Sequence, residues 1–210
     1  APVVAITGAA RGIGRAMAKA FAEGGYNTAL FDQDGEALSE TGAALKQPGF
    51  SVCEVVGDAG RREDLELLAK TAVQRWGRVD TWINNAAYCA RGWVEEITTE
   101  QFERTLDVNL RSAWRSAQLM AQANGTEGGE ILNISSTAAF TAGLVYPGRY
   151  NAYAPYAASK AGLLALTRTL AREAAPLHLR VNALAPGPVL TELARNIYSE
   201  DELRELAGHL

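Results

Sequence analysis

The chain has 210 residues, 48% hydrophobic and 21% charged, with a formal net charge of −4, which suits one large α/β domain whose core needs no metal or disulfide. With no local run of Lys or Arg to offset that charge, a nucleic-acid surface is not expected, and no apolar run is long enough to span a bilayer. Cys53 and Cys89 lie outside any metal-knuckle or redox spacing, and His178 and His209 have no carboxylate or cysteine at ligand spacing, so metal catalysis and histidine triads are disfavoured.

The chain enters a strand at once, Val3 to Thr7, so no signal peptide is expected. Free thiols suit a reducing compartment, and the expected location is cytoplasmic. A helix from Ile13 to Glu23 ends at Gly24-Gly25, a second strand runs from Thr28 to Phe31, and Asp32 closes it. Glu36 to Leu45 reads as a helix and Ser51 to Val56 as a third strand. Arg62 to Trp76 is amphipathic, with Leu65, Leu68, Ala69, Ala72 and Val73 on one face. Val79 to Ile83 is the fourth strand, and Thr98-Thr99-Glu100 opens a helix through about Ala121. Glu130 to Ile134, a helix from Ala157 to Ala174, and Leu179 to Leu184 come next, with a last helix from Thr191. The alternation predicts a Rossmann-type doubly wound parallel sheet with helices on both faces, one domain over 1–210.

The first strand runs into Thr7-Gly8-Ala9-Ala10-Arg11-Gly12-Ile13-Gly14 and then a helix. Glycines at 8, 12 and 14 let the backbone approach a pyrophosphate, and the helix start offers unpaired N–H groups. Asp32 ends the second strand where a ribose 2′-hydroxyl would be bound. A glycine-rich turn alone also serves tight strand–helix packing; strand, helix and acid together favour dinucleotide binding. Asp32 would repel a 2′-phosphate, which favours NAD over NADP, while Arg11 is a cation able to reach such a phosphate and points weakly the other way.

Four further motifs follow in order: Asn84-Asn85-Ala86-Ala87, Asp107-Val108-Asn109, Asn133-Ile134-Ser135-Ser136, and Tyr156-Ala157-Ala158-Ser159-Lys160 with Pro186-Gly187 beyond it. On these residues the chain resembles the short-chain dehydrogenases/reductases over nearly its whole length. The resemblance implies an NAD(P)-dependent oxidoreductase acting on a small-molecule alcohol or ketone, with Asn109, Ser136, Tyr156 and Lys160 as catalytic group. It implies cofactor contacts from Gly8, Arg11, Gly12, Ile13 and Gly14, from Asp32, and from Asp58 and Ala59 at the adenine. Asn85 and Ala86 would line the adenosine side. Tyr156 and Lys160 would also meet the cofactor, and Pro186, Gly187, Val189 and Thr191 would hold the carboxamide. It further implies a homo-oligomer, dimer or tetramer, which the broadly apolar helix with Leu163, Leu164, Leu166 and Leu170 would suit.

A tyrosine hydroxyl with a pKa of about 10 is a poor proton shuttle at neutral pH. A lysine four residues on lies on the same helix face, and its ammonium favours the phenolate. A shift of two to three units requires only ~3–4 kcal/mol. Tyr156 would exchange the alcohol proton, Ser136 would stabilise developing negative charge, Lys160 would hold the ribose, and Asn109 would position a water. Each motif alone has an ordinary structural explanation; the ordered set favours the enzyme over a catalytically silent dinucleotide-binding protein. A dehydratase or epimerase with tightly held cofactor is a weaker third reading.

Three departures from the family pattern stand out. Ala87 replaces a usual glycine. The stretch from Ser136 to Tyr156 is long, with extra residues Val145 to Asn151 that either overlie the substrate or form a surface insertion; Tyr153 there lacks a lysine four residues on. Finally, the sequence stops at Leu210, where the family continues through another helix and strand. Without that last strand the sheet would keep an open edge.

Overall fold

The computed structural model describes residues 1–46, 51–141, 145–146, 149–150, 153–192, 199, 201 and 204. The elements in chain order are β1 (Val3–Thr7), α1 (Gly12–Glu23), β2 (Asn27–Asp32), α2 (Gly35–Leu45), β3 (Val52–Val56), α3 (Arg62–Trp76) and β4 (Thr81–Asn84). Then come α4 (Thr99–Leu106), a π-helical turn (Asp107–Arg111), α5 (Ser112–Asn124) and β5 (Gly129–Ile134). A two-residue pair, β6 (Val145–Tyr146) and β7 (Arg149–Tyr150), precedes α6 (Ala154–Glu173) and β8 (Leu179–Leu184). The main sheet has the order β3-β2-β1-β4-β5-β8, every neighbouring pair parallel. This is the expected doubly wound sheet, with β8 at one edge.

The strand residues explain why both faces are covered. All five positions of β1 are buried, as in a parallel strand roofed by helices on either side. Val3 and Ala5 pack with Leu65 and Leu68 of α3, Met120 of α5 and Leu170 of α6. Val4 and Ile6 pack with Ala18 of α1 and Leu38 of α2 on the opposite face. The period of two along the strand thus sorts one segment into two cores.

Some boundaries shift for physical reasons. β4 starts at Thr81 rather than Val79, because the Asn124 side chain takes the Val79 backbone on both its N–H and its C=O. It extends to Asn84, which pairs in register with Asn133. α6 begins at Ala154, three residues before the expected Ala157, with Pro155 in its first turn, where a missing N–H costs nothing. The helix opened by Thr98 has a reciprocal cap: Gln101 N–H donates to Thr98 Oγ1 at 3.2 Å, and Thr98 N–H to Gln101 Oε1 at 3.0 Å. It does not run straight to Ala121, since the π turn interrupts it. Of the helix expected from Thr191, Thr191 itself is not helical, and residues 193–198 lie outside the described residues.

Because β1, β2 and β3 lead away on one side and β4, β5 and β8 on the other, the strand order reverses between β1 and β4. The carboxyl ends meeting there, Thr7, Asn84 and, next along, Ile134, border the crevice where such sheets bind ligands.

Candidate active site

The glycine turn sits directly after β1. A Cβ on Gly14 would run into the Gly8 carbonyl oxygen and the Asn85 side chain, so the turn closes only with glycine there. Arg11, the residue before α1, offers no side-chain hydrogen bond to the helix start, and the first turn has no acid. No acid within α1 itself offsets that end's partial positive charge, and the backbone approaches closely there, features that fit a pyrophosphate.

Asn85 is placed beneath the turn. Its Nδ2 donates to Thr7 O and Gly8 O, each at 3.0 Å. Thr7 Oγ1 accepts from the Asn85 and Ala86 amides, each at 3.1 Å. This side chain supports the glycine turn from below, a role that sequence reading did not assign to it.

At the next strand end, Asp32 accepts from the Ala10 amide and the Asp34 amide, each at 3.1 Å. It therefore ties β2 to the glycine turn. Arg11 forms an ion pair with Asp34 at 2.6 Å. The Ala37 amide, and then Arg11, hold the Asp34 carboxyl below its ordinary range. Asp58, beyond β3, accepts from the Gly60 amide at 2.8 Å and pairs with Arg104 at 2.7 Å. Burial pushes its pKa up, but the Arg104 and Gly60 hydrogen bonds outweigh that and leave it lowered. Ala59 beside it is buried.

On the other side of the crevice, Lys160 is 2% exposed. Its Nζ donates to Ile134 O at 2.7 Å, the last carbonyl of β5. Desolvation pulls the ammonium down to about 8, while the nearby Cys89 thiol pulls weakly the other way. Ser135 Oγ donates to Lys160 O at 2.9 Å, closing the same junction from the strand side. Tyr156 lies one helical turn earlier and is half-buried, with Lys160 Nζ 5.5 Å from its ring centroid. Tyr153 packs edge-on against it, centroids 6.0 Å apart.

Ser136 follows β5 and accepts from the Ala138 amide at 3.1 Å, so its hydroxyl proton is free to be donated elsewhere.

Asn109 stands in the π turn and is 3% exposed; such bulges are frequent at functional sites. Its Oδ1 accepts from the Tyr88 amide at 2.8 Å, and its Nδ2 donates to Tyr88 O and Ser159 Oγ, each at 2.9 Å. Ser159 in turn donates to Tyr156 O at 2.7 Å. The structure therefore links Asn109 to the helix that carries Tyr156 and Lys160, and the side chain acts first as a staple.

A buried polar relay was missed in the sequence. Trp82 Nε1 donates to Asn84 Oδ1 at 3.0 Å, and Asn84 Nδ2 donates to Ser116 Oγ and Asn133 Oδ1, each at 2.8 Å. Asn133 Nδ2 then donates to Thr167 Oγ1 at 2.9 Å. The relay joins β4, α5, β5 and α6 beneath the Lys160 junction. Asn84 and Asn133 sit in the motifs, but only strand pairing makes them partners.

Pro186, Gly187, Val189 and Thr191 follow β8. The Thr137 amide donates to Pro186 O at 3.0 Å, and Thr191 lies against Gly12. Val145 to Tyr146 pairs antiparallel with Arg149 to Tyr150; the rest of the expected loop lies outside the described residues. Among the described residues no group of three His, Cys, Asp or Glu is placed to hold a metal, and no helix is long and apolar enough to cross a membrane.

The family model for short chain dehydrogenases matches residues 2–202. The human protein named "Dehydrogenase/reductase SDR family member 4" is 34% identical over 205 residues, covering 97% of this chain and 71% of the relative. A solved short-chain type dehydrogenase/reductase from Mycobacterium marinum superposes with a TM-score of 0.86 at 27% identity, covering 93% of this chain and 76% of that one. A Beutenbergia cavernae structure, described as an NAD(P)-dependent gluconate 5-dehydrogenase with NADP bound at low occupancy, gives 0.84 at 32% identity, covering 98% and 79%.

Proposed function

The chain belongs to the short-chain dehydrogenase family, and from that membership we propose that it interconverts a small-molecule alcohol and its carbonyl, with Tyr156 as acid/base. The observation that carries this reading is the buried Lys160 ammonium, hydrogen-bonded to Ile134 O one helical turn from Tyr156. A cation in so dry a position favours the phenolate more strongly than it would in water. One of its three N–H donors is used on Ile134 O among the described residues, which leaves donors for ribose hydroxyls.

In this reading Gly8, Gly12, Ile13 and Gly14 cradle the pyrophosphate of a nicotinamide dinucleotide, with Arg11 beside it. Asp32 accepts from the ribose, and Asp58 and Ala59 border the adenine. Ala86, against the glycine turn that Asn85 supports, continues the adenosine side. Pro186, Gly187, Val189 and Thr191 edge the carboxamide. When bound, the nicotinamide supplies or accepts the hydride. Ser136 donates to the substrate oxygen and lowers the cost of negative charge there. Tyr156 takes the alcohol proton in oxidation and returns it in reduction. Asn109 fixes the helix that carries both Tyr156 and Lys160, and a water near its turn would carry the proton onward.

NAD is the proposed cofactor over NADP. Asp32 is held by two backbone amides, and Arg11, the cation that could meet a 2′-phosphate, is paired with Asp34. A 2′-phosphate would have to displace that pair and approach two carboxylates. The comparative Kd of NADH and NADPH, read by fluorescence, tests this. Asp32→Ala is expected to narrow the preference roughly tenfold, an energy of about 1.4 kcal/mol.

A homo-oligomer is also proposed, since Leu164 and Leu166 on α6 stay only half-buried in the single chain. For the chemistry, Tyr156→Phe is expected to abolish turnover of an alcohol and ketone panel, by at least about 10³-fold, while dinucleotide binding persists. Unchanged turnover would sink the assignment.

A further inference from the structure

The segment after β8 returns over the glycine turn. Gly12 opens α1 with φ +54, and a Cβ there would stand 3.2 Å from Thr191 Cγ2 and 3.3 Å from Thr191 Cβ. The left-handed conformation favours glycine there, and the close approach leaves little room for a Cβ. The start of this segment is tied down by the Thr137–Pro186 hydrogen bond. Apolar packing does not hold its middle: Val189 is 43% exposed and Leu190 64%.

What fastens the far end is charge. Arg15 Nη2 donates to Glu192 Oε1 at 2.6 Å, between residues 177 positions apart in the chain. The Glu192 carboxyl is held below its ordinary range first by its own backbone amide, then by Arg15 and the Gly12 amide, and its Oε2 lies 3.8 Å from where a Gly12 Cβ would stand. It therefore meets the otherwise acid-free start of α1.

We propose that Arg15 and Glu192 are positioning residues of the cofactor site, whose ion pair seats Thr191 on the glycine turn and closes the post-β8 segment over the pyrophosphate and nicotinamide half of a bound dinucleotide. The inference rests on the dinucleotide reading above and adds to it the clasp that completes the site. Neither side chain needs to touch the reacting atoms. Both are half-exposed, 49% and 44%, so the pair contributes modestly and is screened by salt.

The test compares the wild-type protein with Glu192→Ala, Arg15→Ala and the double variant. Each is titrated with NADH by fluorescence and with AMP by competition, AMP carrying only the adenosine half. Each single change is expected to raise the NADH Kd about three- to fivefold, and the double change no more than the worse single, as for one shared interaction. The AMP affinity and the kcat at saturating cofactor should stay within about twofold, a split that damage to the fold would not produce. High salt should bring the wild-type Kd toward that of the variants. Unaltered NADH binding in the variants overturns the proposal. So does an equal loss for AMP, which would mean distortion of α1, or tighter NADH binding, which would mean that Glu192 competes with the pyrophosphate. Failure of the wild-type protein to bind any dinucleotide overturns the reading of the whole site and this inference with it.

Discussion

The two sides of the crevice are built on opposite principles. On the β1–β3 side the loops are held through main-chain groups: the Gly14 approach to Gly8 O, the Asn85 bonds to Thr7 O and Gly8 O, and the Ala10 and Asp34 amides on Asp32. On the β4–β8 side the elements are joined through buried side chains: Asn84, Asn133 and Thr167 below, and Asn109, Ser159 and Lys160 above. A surface that cradles an anion works best with bare backbone, because any Cβ keeps the ligand away. A surface that tunes a proton donor needs polar groups placed in a dry interior, where each is worth more and is costlier to leave unpaired. The first side should therefore fail when an atom is added, the second when one is removed.

The largest expected effect is Gly14→Val. Its side chain has nowhere to go but into Gly8 O and Asn85. Soluble protein should be lost, or its stability reduced by more than about 4 kcal/mol with dinucleotide binding undetectable. A stable variant that still binds NADH would break the comparison on the first side.

Lys160→Met removes the buried charge while keeping the volume. Turnover should fall by about 10²–10³-fold. Stability should move the other way. The folded-state pKa of about 8 lies below the ordinary value of 10.5, so below about pH 8 the fold carries the full desolvation penalty of the ammonium. Between those two values the unfolded chain binds more protons, and wild-type stability should rise with pH. At pH 7 the variant is expected to gain about 1–2 kcal/mol, the lost Ile134 hydrogen bond offsetting part of the relief. Thermal melts of both proteins from pH 6 to 10 check the sign: the gap should close as pH rises, and a wild type that loses stability over pH 8–10 faster than the variant contradicts the burial argument.

Asn84→Ala sharpens the comparison from the second side, since it orphans the Trp82 indole N–H and leaves Asn133 Oδ1 without a donor. A loss of about 2–4 kcal/mol is expected, a Tm fall of order 5–15 °C, with dinucleotide affinity little changed. A drop in affinity matching the drop in stability would show that the two sides do not separate as argued.

Local chemistry was legible in the sequence. Glycine spacing marked the turn, Asp32 marked the end of β2, and the four-residue step placed Lys160 beside Tyr156, because each depends on a few neighbouring residues and one element's geometry. The first turn of α6 carried a readable signal in Pro155 that the apolar period obscured. The π turn that aims Asn109 carried none, since its residues continue a helical pattern.

By itself, then, the sequence determined the order of elements, the parallel sheet and the residues of the turn and the Tyr156–Lys160 pair. Tertiary structure alone decided that Asn84 would face Asn133, that Asn109 would clamp Tyr88 to Ser159, and that Arg15 would meet Glu192. Those partners lie 49, 21, 50 and 177 positions apart. A period or a spacing reports on one helix or strand; a partnership across elements exists only once the elements have packed together, and one register step in β4 or β5 would turn Asn84 or Asn133 to the opposite face.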